Sequence, residues 1–129
     1  MQTCLNCSQP LGRNKKFCSN QCQTDFQYKT YVEDWLNGKE DGSRAGVLVS
    51  KHIRRYLKEI RGEVCEQCGW AAVNPYTGTV PVHLDHIDGD YTNNHPDNLR
   101  LLCPNCHSLT ATYGTLNQGK GRPFGVYKR

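Results

Sequence analysis

The chain has one methionine, three phenylalanines and only 9% aromatic residues among 129, which leaves little to build a large apolar core. A chain of this length holds one domain or two very small ones, and such chains recruit metals where core is missing. No apolar run reaches membrane-spanning length, and the opening Met1-Gln2-Thr3-Cys4-Leu5-Asn6-Cys7 has no apolar signal segment. These absences lead us to expect an intracellular, cytoplasmic protein with no membrane association. There is no heptad pattern and no repeat beyond a doubled cysteine motif, so a monomer is expected. Nothing calls for a small-molecule cofactor.

What the chain does have is eight cysteines in spaced pairs. In a reducing compartment such thiols are metal ligands rather than disulfides. Cys65-x2-Cys68 and Cys103-x2-Cys106 enclose 34 residues, and Cys4-x2-Cys7 is followed after ten residues by Cys18-x3-Cys22. Four thiols paired at turn spacing make a closed tetrahedral site suited to Zn²⁺, with no open coordination position. Two structural zinc ions are therefore expected. Around the second pair stand Asp85, His86 and His107, which the four sulfurs leave without a role at that zinc. A carboxylate and a neutral imidazole suit a harder divalent ion, and a further histidine beside them can act as a general base.

Charge is distributed in the same spirit. The whole chain carries +4, but residues 65–107 carry −4, while residues 108–129 hold four basic residues and no acidic one. An acidic, cation-gathering centre flanked by basic segments fits a site that acts on phosphates. The alternative account of each basic run is an ordinary solvated face.

Along the chain, residues 1–28 read as an N-terminal four-cysteine module, with Ser19 as the N-cap of a short helix. Arg13, Lys15 and Lys16 lie on the loop between its ligand pairs. A helix over Phe26–Leu36 follows, and the polar run Asn37–Ser43 is the linker candidate. Val49, Ile53, Leu57 and Ile60 form a one-sided stripe on a helix over Ser50–Arg61, ended by Gly62. Its other faces carry Lys51, His52, Arg54, Arg55, Lys58 and Arg61. That surface is either solvated or turned to DNA. Residues 29–62 thus form a helical connecting region.

Residues 63–116 hold the second unit. Thr79–Asp85 alternates as a strand, with Val80, Val82 and Leu84 on one face and His83 and Asp85 on the other. A loop rich in Asp, Gly and Asn leads to a second strand, Asn98–Leu102, and a helix is expected over Pro104–Tyr113. Residues 117–129 form a basic, glycine-bearing tail, including Lys120 and Arg122, which either tracks a nucleic-acid backbone or stays unpacked.

The segments Val82-His83-Leu84-Asp85-His86-Ile87-Asp88-Gly89-Asp90, Asn93-Asn94-His95-Pro96-Asp97-Asn98-Leu99-Arg100-Leu101-Leu102 and Cys103-Pro104-Asn105-Cys106-His107 resemble the HNH nuclease family, built on a ββα-metal motif. The likeness covers roughly Cys65–Tyr113. Asp85 stands where some relatives have His, and Asn98 precedes His107 by nine residues. The resemblance implies that Asp85 and His107 hold one catalytic Mg²⁺ or Mn²⁺ and that His86 is the general base. Asn98 would brace the intervening loop, and the products would carry 5′-phosphate and 3′-hydroxyl ends. His83, Arg100, Arg54, Arg55, Lys58, Lys120 and Arg122 are the candidate DNA contacts, and His95 reads as a loop residue.

The expected protein is therefore a small zinc-stabilised α+β chain: a ββα-metal nuclease unit, an N-terminal four-cysteine module and connecting helices. Its partner would be DNA. Its compact layout resembles phage- and mobile-element-borne members such as homing endonucleases, acting in a host cell. The rival classes are a zinc-stabilised DNA-binding module without activity, and a restriction- or packaging-associated nuclease of the same chemistry.

Overall fold

The computed structural model describes residues 2–13, 15–117 and 119. The chain divides into two compact units, Met1–Glu40 and Asp41–Arg129, and the division falls inside the polar, glycine-bearing run marked as a linker.

In the first unit an antiparallel bridge between Thr3 and Pro10 closes a tight turn, with Cys4 N–H donating to Gln9 O at 2.8 Å and Ser8 N–H to Cys4 O at 2.9 Å. Helix α1 spans Asn20–Leu36, so the short helix expected after Ser19 and the one expected over Phe26–Leu36 are a single helix. Ser19 is its N-cap, as the sequence predicts, and its hydroxyl accepts the Cys22 N–H at 3.1 Å. Tyr28, Val32 and Trp35 lie at helical spacing and are buried. Phe17 and Phe26 pack as a tilted pair with centroids 5.4 Å apart.

The second unit opens with a hairpin that the sequence did not announce, β1 (Ser43–Arg44) against β2 (Leu48–Val49). Its turn needs two left-handed residues, Ala45 and Gly46. Helix α2 spans Lys51–Arg61, capped by Ser50, whose hydroxyl accepts the His52 N–H, and ended by Gly62 at φ 82°. Val49, Ile53 and Leu57 are buried as the stripe requires, while Ile60, on the last turn, is exposed. The last turn is tied down by Arg61 instead. Its guanidinium donates to Leu99 O at 2.6 Å and to Pro96 O at 3.2 Å.

Strand β3 (His83–His86) pairs antiparallel with β4 (Leu99–Leu102) in the register His83–Leu102, Leu84–Leu101, Asp85–Arg100 and His86–Leu99. The predicted strand over Thr79–Asp85 is shorter and later than expected because of Pro81. Around it Val82 N–H folds back onto Val80 O at 2.8 Å, a three-residue turn that keeps the approach out of the ladder. The second strand starts at Leu99, since Pro96–Asn98 form one turn of 3₁₀ helix.

Helix α3 is only Pro104–Ser108, not the predicted Pro104–Tyr113. The Thr110 hydroxyl donates to His107 O at 2.9 Å and Thr110 N–H turns to the same carbonyl, so local bonds end the helix. A second 3₁₀ turn, Gly114–Asn117, follows. Leu99, Leu101, Leu102, Ile53 and Leu57 are the largest fully buried side chains of this unit, and Leu102 packs with Cys65 and Cys103. No helix among the described residues is long and apolar enough to cross a membrane.

Candidate active site

Both cysteine quartets converge. In each, one sulfur from every residue lies within 4.8 Å of the others, so Cys4, Cys7, Cys18 and Cys22 form one cluster and Cys65, Cys68, Cys103 and Cys106 the other. The sulfurs of Cys7 and Cys18 are 3.5 Å apart, those of Cys18 and Cys22 3.4 Å, and those of Cys68 and Cys103 3.7 Å. Sulfurs 2.3 Å from one tetrahedral ion would sit about 3.8 Å apart, so the donor sets fit such an ion.

The thiol acidities fit as well. Burial pushes Cys65 up, but N–H groups of Cys103, Cys68 and Gln67 outweigh it and bring the thiol down to about 6. Cys4 behaves alike, with burial overcome by the N–H groups of Cys7, Cys18 and Asn6, also to about 6. Contact with Cys22 and then Cys7 pushes Cys18 up to about 12, and Cys68 and Cys103 do the same to Cys106. In each cluster backbone N–H groups hold one thiol down while neighbouring sulfurs push another up, a conflict that a bound dication would relieve.

The short β3–β4 hairpin then sets out the polar residues. Register puts His83 and Asp85 on one face, opposite Leu102 and Arg100. Asp85 is buried, and its two oxygens differ: Oδ2 accepts from Arg100 Nε at 2.7 Å, while Oδ1 lies 3.7 Å from His107 Nε2. His107 is carried in by the first turn of α3, directly after Cys106, so the second sulfur cluster fixes where its ring begins. Its other nitrogen, Nδ1, lies 3.1 Å from His83 Nδ1, the rings edge-on. Burial, then His107, then Arg54 hold His83 below the usual imidazole value. Two ligand atoms about 2.1 Å from a common ion can stand up to about 4.2 Å apart, so Asp85 Oδ1 and His107 Nε2 fit as joint ligands of a divalent cation.

His86, the last residue of β3, is buried. Its Nε2–H donates to the buried Asn94 Oδ1 at 2.7 Å, which makes Nδ1 the basic nitrogen. Asp85, His86 and His107 line one cavity of about 360 Å³, together with Tyr91, Tyr113 and Asn117. Gly89 closes one side of it. Its φ of 76° and the close approach of Asn117 and Thr112 leave no room for a Cβ.

Asn98 stands apart from that trio and holds the loop. Its amide donates to Asp88 Oδ1 at 2.9 Å and to Asn93 O at 2.8 Å, its Oδ1 accepts Asp88 N–H at 3.1 Å, and its carbonyl accepts Ile87 N–H. His95 caps the 3₁₀ turn by accepting Asp97 N–H. Of the remaining candidates, Arg54, Arg55 and Lys58 line a groove along α2 with Lys51, Glu59 and Glu63, and Arg55 is paired to Glu59 at 2.9 Å. Arg100 sits on Asp85. Lys120 and Arg122 lie outside the described residues. Two residues that sequence reasoning left without a role are Asn94, the partner of His86, and Arg61, the tie from α2 to the hairpin. The doubled Asn93-Asn94 was the available signal.

Fold and site together define a small mixed α/β protein with two metal-competent four-cysteine clusters, the second beside a carboxylate–histidine cavity. The chain is 39% identical over 98 residues to the H-N-H endonuclease F-TflIV of Escherichia phage T5, covering 76% of this chain and 40% of that protein. It is 28% identical over 120 residues to the Zorya protein ZorE of Escherichia coli, covering 83% of this chain and 31% of that one. The resemblance to HNH endonucleases carried by Val82–His107 is thus borne out in a named relative. The chain spans well under half the length of these curated relatives. No family model and no solved structure matches it.

Proposed function

We propose that this chain is a metal-dependent HNH endonuclease unit that hydrolyses phosphodiester bonds in DNA, with β3, β4 and α3 as its ββα-metal motif. The observation that carries this is the convergence of Asp85, His86 and His107 on one cavity, with Asp85 Oδ1 and His107 Nε2 3.7 Å apart. Asp85 and His107 hold a Mg²⁺-class ion, and the two cysteine clusters hold structural zinc. The bound cation supplies charge stabilisation at the scissile phosphate and the leaving 3′-oxygen. His86 takes the proton of the attacking water at Nδ1, its ring aimed by Asn94. Asn98 keeps the loop between His86 and β4 in the shape that presents both.

DNA is gripped outside that cavity. The Lys51–Lys58 face of α2 is the nearest candidate on this unit, and Arg54 bears electrostatically on His83. Residues 1–28 act as a zinc module and residues 63–116 as the nuclease unit. The tail, with Lys120 and Arg122, adds phosphate affinity. A phage-borne role such as homing is supported by the phage source of one relative.

A plasmid-nicking assay tests the proposal. Zinc-replete protein is expected to nick or linearise supercoiled DNA with Mg²⁺ or Mn²⁺ and to stop when EDTA removes the ion. DNA left intact under all cation conditions, by protein that still binds it, would favour the non-catalytic DNA-binding module.

A further inference from the structure

We infer that His83 is a positioning residue: through its Nδ1 it fixes His107 in the tautomer whose Nε2 lone pair faces Asp85. This rests on the reading of Asp85 and His107 as ligands of one cation.

Proton counting decides between the two tautomers. A neutral imidazole carries one N–H and one lone pair, and the His83–His107 contact joins two ring nitrogens at 3.1 Å. One proton must lie between them. If His107 donates it, its Nε2 presents a lone pair towards Asp85. If His83 donates it, the His107 proton moves to Nε2, where the nearest carboxylate oxygen is 3.7 Å away. That is too far for a charge-assisted N–H···O bond, which runs at about 2.7–2.9 Å, so the second tautomer would leave its N–H badly served. The first satisfies the N–H and aims the lone pair into a gap of ligand-sharing width.

A matching arrangement holds the other ligand. Arg100 Nε takes Asp85 Oδ2 at 2.7 Å, so the carboxylate is turned with Oδ1 towards His107. The cross-strand pairing of Asp85 with Arg100 and the same-face placement of His83 follow from one register, so the hairpin orients both ligands from behind. Outer partners of this kind set ring orientation and ligand basicity at metal centres. His83 is exposed at the first position of β3, so replacing it leaves the core untouched.

Long-range ¹H–¹⁵N spectra of the histidine rings, on the zinc-replete chain near neutral pH, read the tautomer directly. The wild type is expected to show His107 protonated at Nδ1. His83→Phe is expected to lose that preference and to weaken Mn²⁺ binding, measured by calorimetry, by about 10- to 100-fold. His83→Asn, whose side-chain oxygen can accept the same proton, is expected to restore both. An Nε2-protonated His107 in the wild type, or a His83→Phe variant with unchanged tautomer and affinity, would overturn the inference. The two readings fail separately. A wild type that cleaves DNA while His83→Phe binds Mn²⁺ equally well sinks this inference alone. A wild type with the Nδ1–H tautomer and His83-dependent affinity that leaves DNA intact upholds it and sinks the nuclease reading.

Discussion

The two cysteine clusters share a ligand set and differ in what the chain hangs on them. The N-terminal quartet closes over ten intervening residues, and two of its cysteines, Cys7 and Cys18, are exposed. The second closes over 34 residues, buries Cys65 and Cys103, and packs them on Leu102 of β4. Glu66 extends that junction, its N–H donating to Leu101 O at 2.8 Å and its carboxylate accepting Leu101 N–H. One cluster is a local knuckle and the other braces a site. The same donor set can support a site only where a hairpin and a histidine-bearing helix turn share its residues.

The largest expected effect follows from that difference. Cys65→Ser or Cys103→Ser is expected to abolish the cooperative unfolding transition of the second unit and release one zinc ion, because binding energy at such sites is folding energy. Cys4→Ser is expected to release zinc yet leave the second unit's transition in place. Equal collapse in both cases, seen by circular dichroism and elemental analysis, would erase the distinction between knuckle and brace.

Next come changes within the cavity. His86→Ala removes the proposed base while leaving Asp85 and His107, so cleavage is expected to fall by roughly 10²–10⁴-fold with Mn²⁺ affinity retained. Asn94→Ala is expected to cost less, about tenfold, because the base stays but loses its aim. An Asn94 variant with wild-type single-turnover rates would show that the 2.7 Å contact does no catalytic service.

A smaller effect is expected on the basic face of α2. Neutralising Arg54, Arg55 and Lys58 together is expected to weaken DNA binding and flatten the dependence of log Kd on log salt by up to about three phosphate contacts. Arg55 already pairs with Glu59, so its share is expected to be the least. An unchanged slope in salt titrations would make α2 a packing element with a solvated outer face.

The mildest effect concerns acid. Burial pushes Asp88 up, but bonds from Asn93, Asp90 N–H and Asn98 outweigh it and hold its carboxyl below the ordinary 3.8. A group with a lowered folded value contributes its stabilisation above the unfolded value and loses it as pH falls through the folded one. The loop over Asp88–Asn98 is therefore expected to keep its amide protection from neutrality down to 3.8 and to loosen below that. Loosening well above 3.8, seen by hydrogen exchange, would mean that these carboxylate bonds are not what braces it.

Much of this arrangement was legible beforehand, for physical reasons. Ser19 and Gly62 punctuate helices by local hydrogen bonding and backbone freedom, so their positions survive folding unchanged. The buried Ile53 and Leu57 follow from helical period, and the shared face of His83 and Asp85 from strand period. What escaped depends on non-local or competing contacts. Pro81 delays β3, and Thr110 shortens α3 by taking the His107 carbonyl. The β1–β2 hairpin turns on a left-handed Ala45, a residue that gives no turn signal of its own. Asn94 and Arg61 find partners only after the loop and α2 have docked on the hairpin.

In the proposed mechanism the second cluster braces a cavity in which Asp85, His86 and His107 hydrolyse DNA. Single-turnover cleavage with Mn²⁺, run side by side on zinc-replete wild type and His86→Ala of equal fold and equal ion affinity, tests it most directly. Cleavage by the wild type and a loss of roughly 10²–10⁴-fold in the variant are expected. Equal rates in the two proteins would contradict it.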